Sequence, residues 1–166
     1  MPNSPRYVVT NTTPLIALDL IGKLHLLHDL YDEVLMPPAV YAEALAGGEK
    51  RVGAIGGLQS TPWLRVHPLS DPRRADLLVD LDRGEAEAIA LAQELDADLL
   101  IIDERLGRLH ARRLGIAITG TIGVLLKAKM LGYVYEVRPL LEQLHKGGIY
   151  LSDELVRRAL DLAGEK

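Results

Sequence analysis

The sequence predicts an α/β protein built on a mostly parallel sheet flanked by helices. Three observations carry that expectation. Leu99-Leu100-Ile101-Ile102 is a run of four apolar residues with no polar alternation, which suits a strand buried on both faces. Short apolar runs alternate along the chain with segments of helical apolar spacing, the pattern of parallel strands joined by right-handed crossovers. Asp103 ends the buried run, and in open α/β sheets ligands occupy the crevice beyond the carboxyl ends of the strands.

The elements follow in order. Arg6 to Thr10, centred on Tyr7-Val8-Val9, reads as the first strand. Thr13 is placed as the N-cap of the next helix, with Pro14 at its first position and Gly22 closing it after Ile21. A second helix covers Lys23 to Tyr31, and Glu33 to Met36 forms the second strand. Pro37-Pro38 opens a helix that runs to about Ala46, where Gly47-Gly48 ends it. Glu49 to Pro62 is Gly-rich with little periodicity and reads as a mobile insertion or a short helix with loops. Trp63 to Val66 supplies another strand, and Ser70-Asp71-Pro72 caps a helix through Leu81. Then come helix Glu85 to Leu95, strand Leu99 to Ile102, helix Glu104 to Leu114, strand Ile116 to Thr119 and helix Thr121 to Leu131. Two further helices, Glu136 to His145 and Ser152 to Ala163, complete the chain. No repeat, linker or low-complexity tract interrupts it, so residues 1–166 read as one domain.

Composition narrows the function classes. Of 166 residues, 48% are apolar, enough for a sizeable core. No stretch approaches the roughly 18 uncharged apolar residues that span a bilayer, and the first residues lack the apolar segment of a signal peptide. With no cysteine, disulfides and thiolate metal sites are excluded, and a soluble cytoplasmic protein is expected. A net charge of −4 argues against coating nucleic acid over the whole surface but leaves room for a local basic groove. Without phenylalanine and with one tryptophan, the chain is poorly suited to a broad base-stacking platform.

The residues that carry chemistry are oxygen donors. Asn11 and Asp103 each end a predicted strand, and Glu43 and Glu85 lie on helix faces turned toward the sheet. Glu85 shares the apolar stripe of Ala88, Ile89, Ala92 and Leu95, where an unpaired charge is costly and a partner is expected. If the four meet, three carboxylates and one amide make a pocket for a hard cation such as Mg²⁺ or Mn²⁺. Such a cation acidifies water into a usable nucleophile for a phosphodiester and neutralises phosphate charge. Each residue also has a structural alternative. Asp103 could cap the next helix, Glu85 could complement the helix dipole, Glu43 could be solvated, and Asn11 could be a turn residue.

Ordered along the chain, Asn-Thr-Thr-Pro-Leu-Ile, Pro-Pro-Ala-Val-Tyr-Ala-Glu, Gly-Glu-Ala-Glu-Ala-Ile-Ala-Leu-Ala, Ile-Ile-Asp-Glu-Arg-Leu-Gly-Arg and Ile-Thr-Gly-Thr-Ile-Gly-Val-Leu resemble the PIN-domain ribonucleases. Within them the chain is most similar to a less characterised branch related to VapC toxins. The resemblance spans Tyr7 to about Leu160. It implies a PIN-like three-layer α/β/α fold and a Mg²⁺- or Mn²⁺-dependent endoribonuclease. It assigns catalytic and metal-binding roles to Asn11, Glu43, Glu85 and Asp103, with Glu87 as the alternative to Glu85 in a shifted register. Thr12 or Thr13 matches a supporting position, and Thr119 or Thr121 lines the site. Asn11 stands where the family has Asp, which removes one negative charge and leaves open a catalytically degenerate RNA-binding or protein-interaction module.

Arg105, Arg108 and Arg112 fall on one helix face by steps of three and four residues and are candidate RNA contacts; Lys127 and Lys129 follow on a later helix. The alternative is a solvated face or ion pairs with Asp103 and Glu104. The resemblance also implies a homodimer and, for a toxin of a toxin-antitoxin pair, a protein antitoxin. The leucine-rich stretch from Leu20 to Leu27 is compatible with that, since it holds more apolar positions than one helix face of a small monomer buries. Other chemistries lack their motifs: no phosphate-binding glycine loop and no nucleophile elbow is present. His25 and His28 have no third zinc-type ligand nearby and read as ordinary helix residues.

Overall fold

In the computed structural model, which describes residues 7–50 and 58–166, five short strands form one sheet. They are β1 (Val8–Thr10), β2 (Val34–Met36), β3 (Leu64–Val66), β4 (Leu99–Ile101) and β5 (Ile118–Thr119). The order is β3-β2-β1-β4-β5 and every pairing is parallel, with Val9 opposite both Leu35 and Leu100. All residues of β1 and β2 are buried, which requires helices on both faces of the sheet. The chain moves outward from β1 through β2 to β3, then crosses back to place β4 and β5 on the other side. The crevice between the carboxyl ends of β1 and β4 is therefore the topological switch point.

Helix α1 (Thr12–Leu20) starts one residue after the Asn11 amide donates to the Ile101 carbonyl (2.9 Å). Asn11, extended at φ −85° and ψ 175°, is the N-cap, so the expected cap at Thr13 is corrected. Pro14 falls in the first turn, where its missing N–H has no intrahelical acceptor to lose. The helix closes after Ile21 at Gly22, whose φ of +68° needs a residue without Cβ strain. Helix α2 (Leu26–Tyr31) is shorter than the expected Lys23 to Tyr31, because a turn precedes it in which the Leu26 amide donates to Lys23.

Helix α3 (Pro38–Lys50) runs on through Gly47-Gly48, where the sequence suggested an end; a helical glycine weakens a helix by about 1 kcal/mol without breaking it. Of the Gly-rich segment, Leu58–Ser60 is a single 3-10 turn, while residues 51–57 lie outside the described residues. Helix α4 (Arg73–Asp76) is one turn long instead of reaching Leu81: Leu77 and Val79 are exposed and offer no buried stripe to continue it. The remaining helices are α5 (Arg83–Glu94), α6 (Arg105–Arg113), α7 (Thr121–Met130), α8 (Arg138–Lys146) and α9 (Asp153–Ala163). Helix α5 packs on β1 and β4, and α7 packs on α1, α2 and α9.

The leucine-rich stretch is core. Leu26 and Leu27 are fully buried, as is Leu18 just before the stretch, Ile21 is buried, and Leu20 and Leu24 are half-buried, so this stretch leaves no apolar surplus to argue for a dimer. Among the described residues, no helix is long and apolar enough to cross a membrane.

Glu165 ties the last helices together. It accepts hydrogen bonds from the Lys129 ammonium (2.8 Å) and from the Val137 and Arg138 amides (2.7 and 3.0 Å) at the start of α8. Burial pushes this carboxyl up, but the three donors outweigh it and bring it down to about 2. A depressed folded pKa gives stability that is present above the ordinary value of 4.5 and lost as pH falls toward 2. Glu165→Gln is expected to lower the melting temperature at pH 7 and to shallow the loss of stability between pH 4.5 and 2, measured by thermal denaturation followed by circular dichroism.

Candidate functional site

The switch-point crevice begins with Asn11. Its side chain is buried, and its Oδ1 is, among the described residues, a buried acceptor with no hydrogen-bond donor. Leaving such a group unpaired costs about 1–3 kcal/mol, so a ligand that coordinates it has something to gain. Next in the chain, the Thr12 hydroxyl donates to Glu43 Oε1 at 2.6 Å. That bond carries the influence of β1 across to α3.

Glu43 is not a solvated helix residue. Burial pushes its carboxyl above the ordinary range, the Thr12 hydroxyl and Gly84 amide pull it back, and the neighbouring Asp82 and Glu87 charges push it further up. Gly84 is required by this contact, since a Cβ there would overlap the Glu43 carboxylate.

Glu85 follows directly. Asp82 caps α5 by accepting from the Glu85 amide (2.8 Å), while Glu85 reaches back toward the Asp82 amide (3.4 Å), a reciprocal capping box. The partner expected for Glu85 on its apolar stripe is thus in part this cap. Burial first, and then Asp82, push the Glu85 carboxyl up to about 7. Gly107 on α6 lets Glu85 come close: a Cβ there would lie 3.2 Å from its Oε1. Asp82 is the residue that sequence reading missed, although Asp82-Arg83-Gly84-Glu85 carries the Asp-x-x-Glu signature. Glu87, close enough to raise Glu43, accepts from the Ala39 amide at the start of α3 (3.0 Å) and pairs with Arg83 (2.9 Å).

Asp103 sits across the crevice. Its two oxygens accept from the Thr121 amide (2.7 Å) and the Thr121 hydroxyl (2.6 Å), so it faces the positive end of α7. It does not cap α6, whose N-cap is Glu104. The expectation that Asp103 could cap the helix after it is thereby corrected: its carboxylate serves Thr121 at the start of α7 instead. Arg108 is half-buried beside it and donates to the Ile102 carbonyl at 2.8 Å. Burial and the Arg112 charge lower its pKa, against the pull of Asp103. Arg105 and Arg112 are exposed. Lys127 lies over the Tyr31 ring and Lys129 binds Glu165, so both later lysines are engaged in packing α7. Asp103, Arg108, Thr13, Thr119 and Thr121 are among the residues that line a groove of about 670 Å³.

The candidate residues thus form two groups, joined through Asn11 and Thr12. Glu43 and Glu85 gather with Asp82; Asp103 gathers with Thr121 and Arg108. Among the described residues, no three Asp, Glu, His or Cys side chains already stand together as a metal-holding set. The donor chemistry nevertheless fits a hard cation. An orphaned buried amide oxygen and two carboxylates held above their ordinary pKa are acceptors that positive charge would relieve.

Residues 7–165 match the family model described as a PIN domain. Among solved structures, a PilT N-terminus domain protein from the hyperthermophilic archaeon Sulfolobus solfataricus P2 superposes with a TM-score of 0.51 at 18% identity, covering 88% of this chain and 97% of that one. At that identity the likeness speaks for the fold. No curated protein matches the sequence significantly.

The raised Glu85 carboxyl has a measurable consequence. The folded state holds its proton more tightly than the unfolded chain, so the associated stability is fully present below the ordinary value of 4.5 and is lost as pH rises through about 7. Glu85→Gln keeps an acceptor for the cap, and its melting temperature should stay level from pH 5 to 8 where that of the parent protein falls.

Proposed function

The chain belongs to the PIN-domain family, and from that premise we propose that it is a metal-dependent endoribonuclease hydrolysing phosphodiester bonds in RNA. PIN domains are typically nucleases. The observation that carries the reading is the unpartnered, buried Asn11 oxygen at the switch-point crevice that Asp103 faces. On this reading Asn11, Glu43, Glu85 and Asp103 would hold Mg²⁺ or Mn²⁺. A divalent ion supplies charge neutralisation on the phosphodiester and an acidified water. Thr12 and Thr121 fix Glu43 and Asp103 in place before any ligand arrives. Arg108, held by the Ile102 carbonyl, presents positive charge beside Asp103 to a phosphate, while Arg105 and Arg112 extend that charge along α6. Thr13 and Thr119 line the groove that receives the strand.

One observation favours a second reading. With a neutral amide at position 11 and the carboxylates in two groups, a catalytically degenerate PIN fold that binds RNA or a protein needs no closed metal set. The roles of toxin, antitoxin partner and homodimer, together with a cytoplasmic location and a single-domain chain, rest on the resemblance to VapC toxins and on composition.

Metal binding separates the two readings. Mn²⁺ at a hundred times its Kd should stabilise the nuclease by about 2.7 kcal/mol, visible as a raised melting temperature. Asp103→Asn should remove both that rise and Mn²⁺-dependent cleavage of RNA; cleavage undiminished in excess chelator would reject the proposal. Asn11→Asp should tighten Mn²⁺ binding in calorimetry, because it adds a negative charge at the crevice. Unchanged affinity would remove Asn11 from the site.

A further inference from the structure

The groove lined by Asp103, Arg108 and Thr121 is also lined by residues that the chemistry above does not use: Leu144, Leu151 and Tyr150, the last with 83% of its surface exposed. Among the described residues, Tyr150 is the one aromatic side chain lining this groove. The tyrosine is held in place by its backbone. It lies on the short link between α8 and α9, anchored on one side by the Ile149 amide bonding to the Leu144 carbonyl and on the other by Ser152, which caps α9. Gly148, at φ +94°, makes the turn that sends this link back over the groove.

We infer that Tyr150 is a base-stacking residue that selects unpaired RNA for the site beside Asp103; this rests on the nuclease reading above. The groove has the polarity of a nucleotide. Arg108 offers charge for a phosphate, the Leu144 and Leu151 side supplies an apolar wall, and the Tyr150 ring supplies a flat face. Its volume of about 670 Å³ falls in the range of roughly 300–1,000 Å³ typical of small-ligand sites. A base within a duplex is already stacked on both faces and cannot enter, whereas a splayed base of a single strand can stack on an aromatic ring. Of the other aromatic residues, Trp63 stacks on His28, Tyr31 lies under Lys127, and Tyr135, also exposed, lines a separate pocket with Lys129 and Arg138.

The test uses a fluorescent, hydrolysis-resistant phosphorothioate single-stranded oligoribonucleotide and its duplex, titrated by anisotropy with Mn²⁺ and again with chelator. Tyr150→Ala should weaken single-strand binding about 5- to 150-fold, the range of one aromatic stack. Duplex affinity and melting temperature should stay unchanged, and Tyr150→Trp should restore single-strand binding. With a cleavable strand, Tyr150→Ala should raise KM while kcat changes little. Equal single-strand binding by Tyr150→Ala and the parent protein overturns the inference, as does equal loss for strand and duplex, or no RNA binding by the parent in either condition. If the binding differences appear but no strand is ever cleaved, the stacking role stands and the nuclease reading falls.

Discussion

β1 passes into α1 without a loop, and the rest of the candidate site depends on that junction. Asn11 is at once the last rung of the β1–β4 pairing and the N-cap of the helix, so it cannot move without unzipping the centre of the sheet. Because β1 is the strand about which the order reverses, its carboxyl end opens into the one crevice that helices from both halves border. Thr12, the next residue, reaches Glu43 on α3. One residue further, Thr13 lines the groove shared with Asp103. Three consecutive residues thereby border both groups of candidate side chains.

The second organising feature is how the fold houses acids. Asp103 is held by the start of α7, Glu87 by the start of α3, Glu165 by the start of α8, and Glu85 by the capping box of α5. Glu43 takes the Thr12 hydroxyl from α1 and the Gly84 amide from α5. Each carboxylate is answered by groups whose donors would otherwise be orphaned at a helix N-terminus. The compensation is uneven. Glu165 ends well below the usual carboxylate range, whereas Glu43 and Glu85 remain above it, so unanswered charge is concentrated at the crevice.

Much of this was legible in the sequence because it is local. A four-residue apolar run, strand-ending Asn11 and Asp103, and helical spacing around Glu43 and Glu85 need only nearest neighbours to be read. What was misread depends on tertiary partners. Thr121 lies 18 residues from the Asp103 it holds, and the Leu20 to Leu27 stretch disappears into a core that no helix wheel displays. Helical spacing puts Arg105, Arg108 and Arg112 on one face but cannot say that Arg108 alone bends back to the Ile102 carbonyl. Asp82 is legible as a capping signature, but its effect on Glu43 and Glu85 depends on how α3 and α5 pack. The helix α4 expectation failed for a physical reason as well: propensity extended it to Leu81, but Leu77 and Val79 have nothing to pack against.

The amide at position 11 follows from the same electrostatics. A carboxylate there would be a further buried negative charge, next in the chain to Thr12, which holds Glu43. A second carboxylate near Glu43 would add like-charge repulsion to the cost of burying an ion. Asparagine keeps an acceptor at the same place without that repulsion. Its unpaired oxygen costs less than an unpaired buried carboxylate, since a neutral amide loses far less hydration on burial than an ion. The amide thus spares the crevice a further buried charge, at the expense of attraction for a dication.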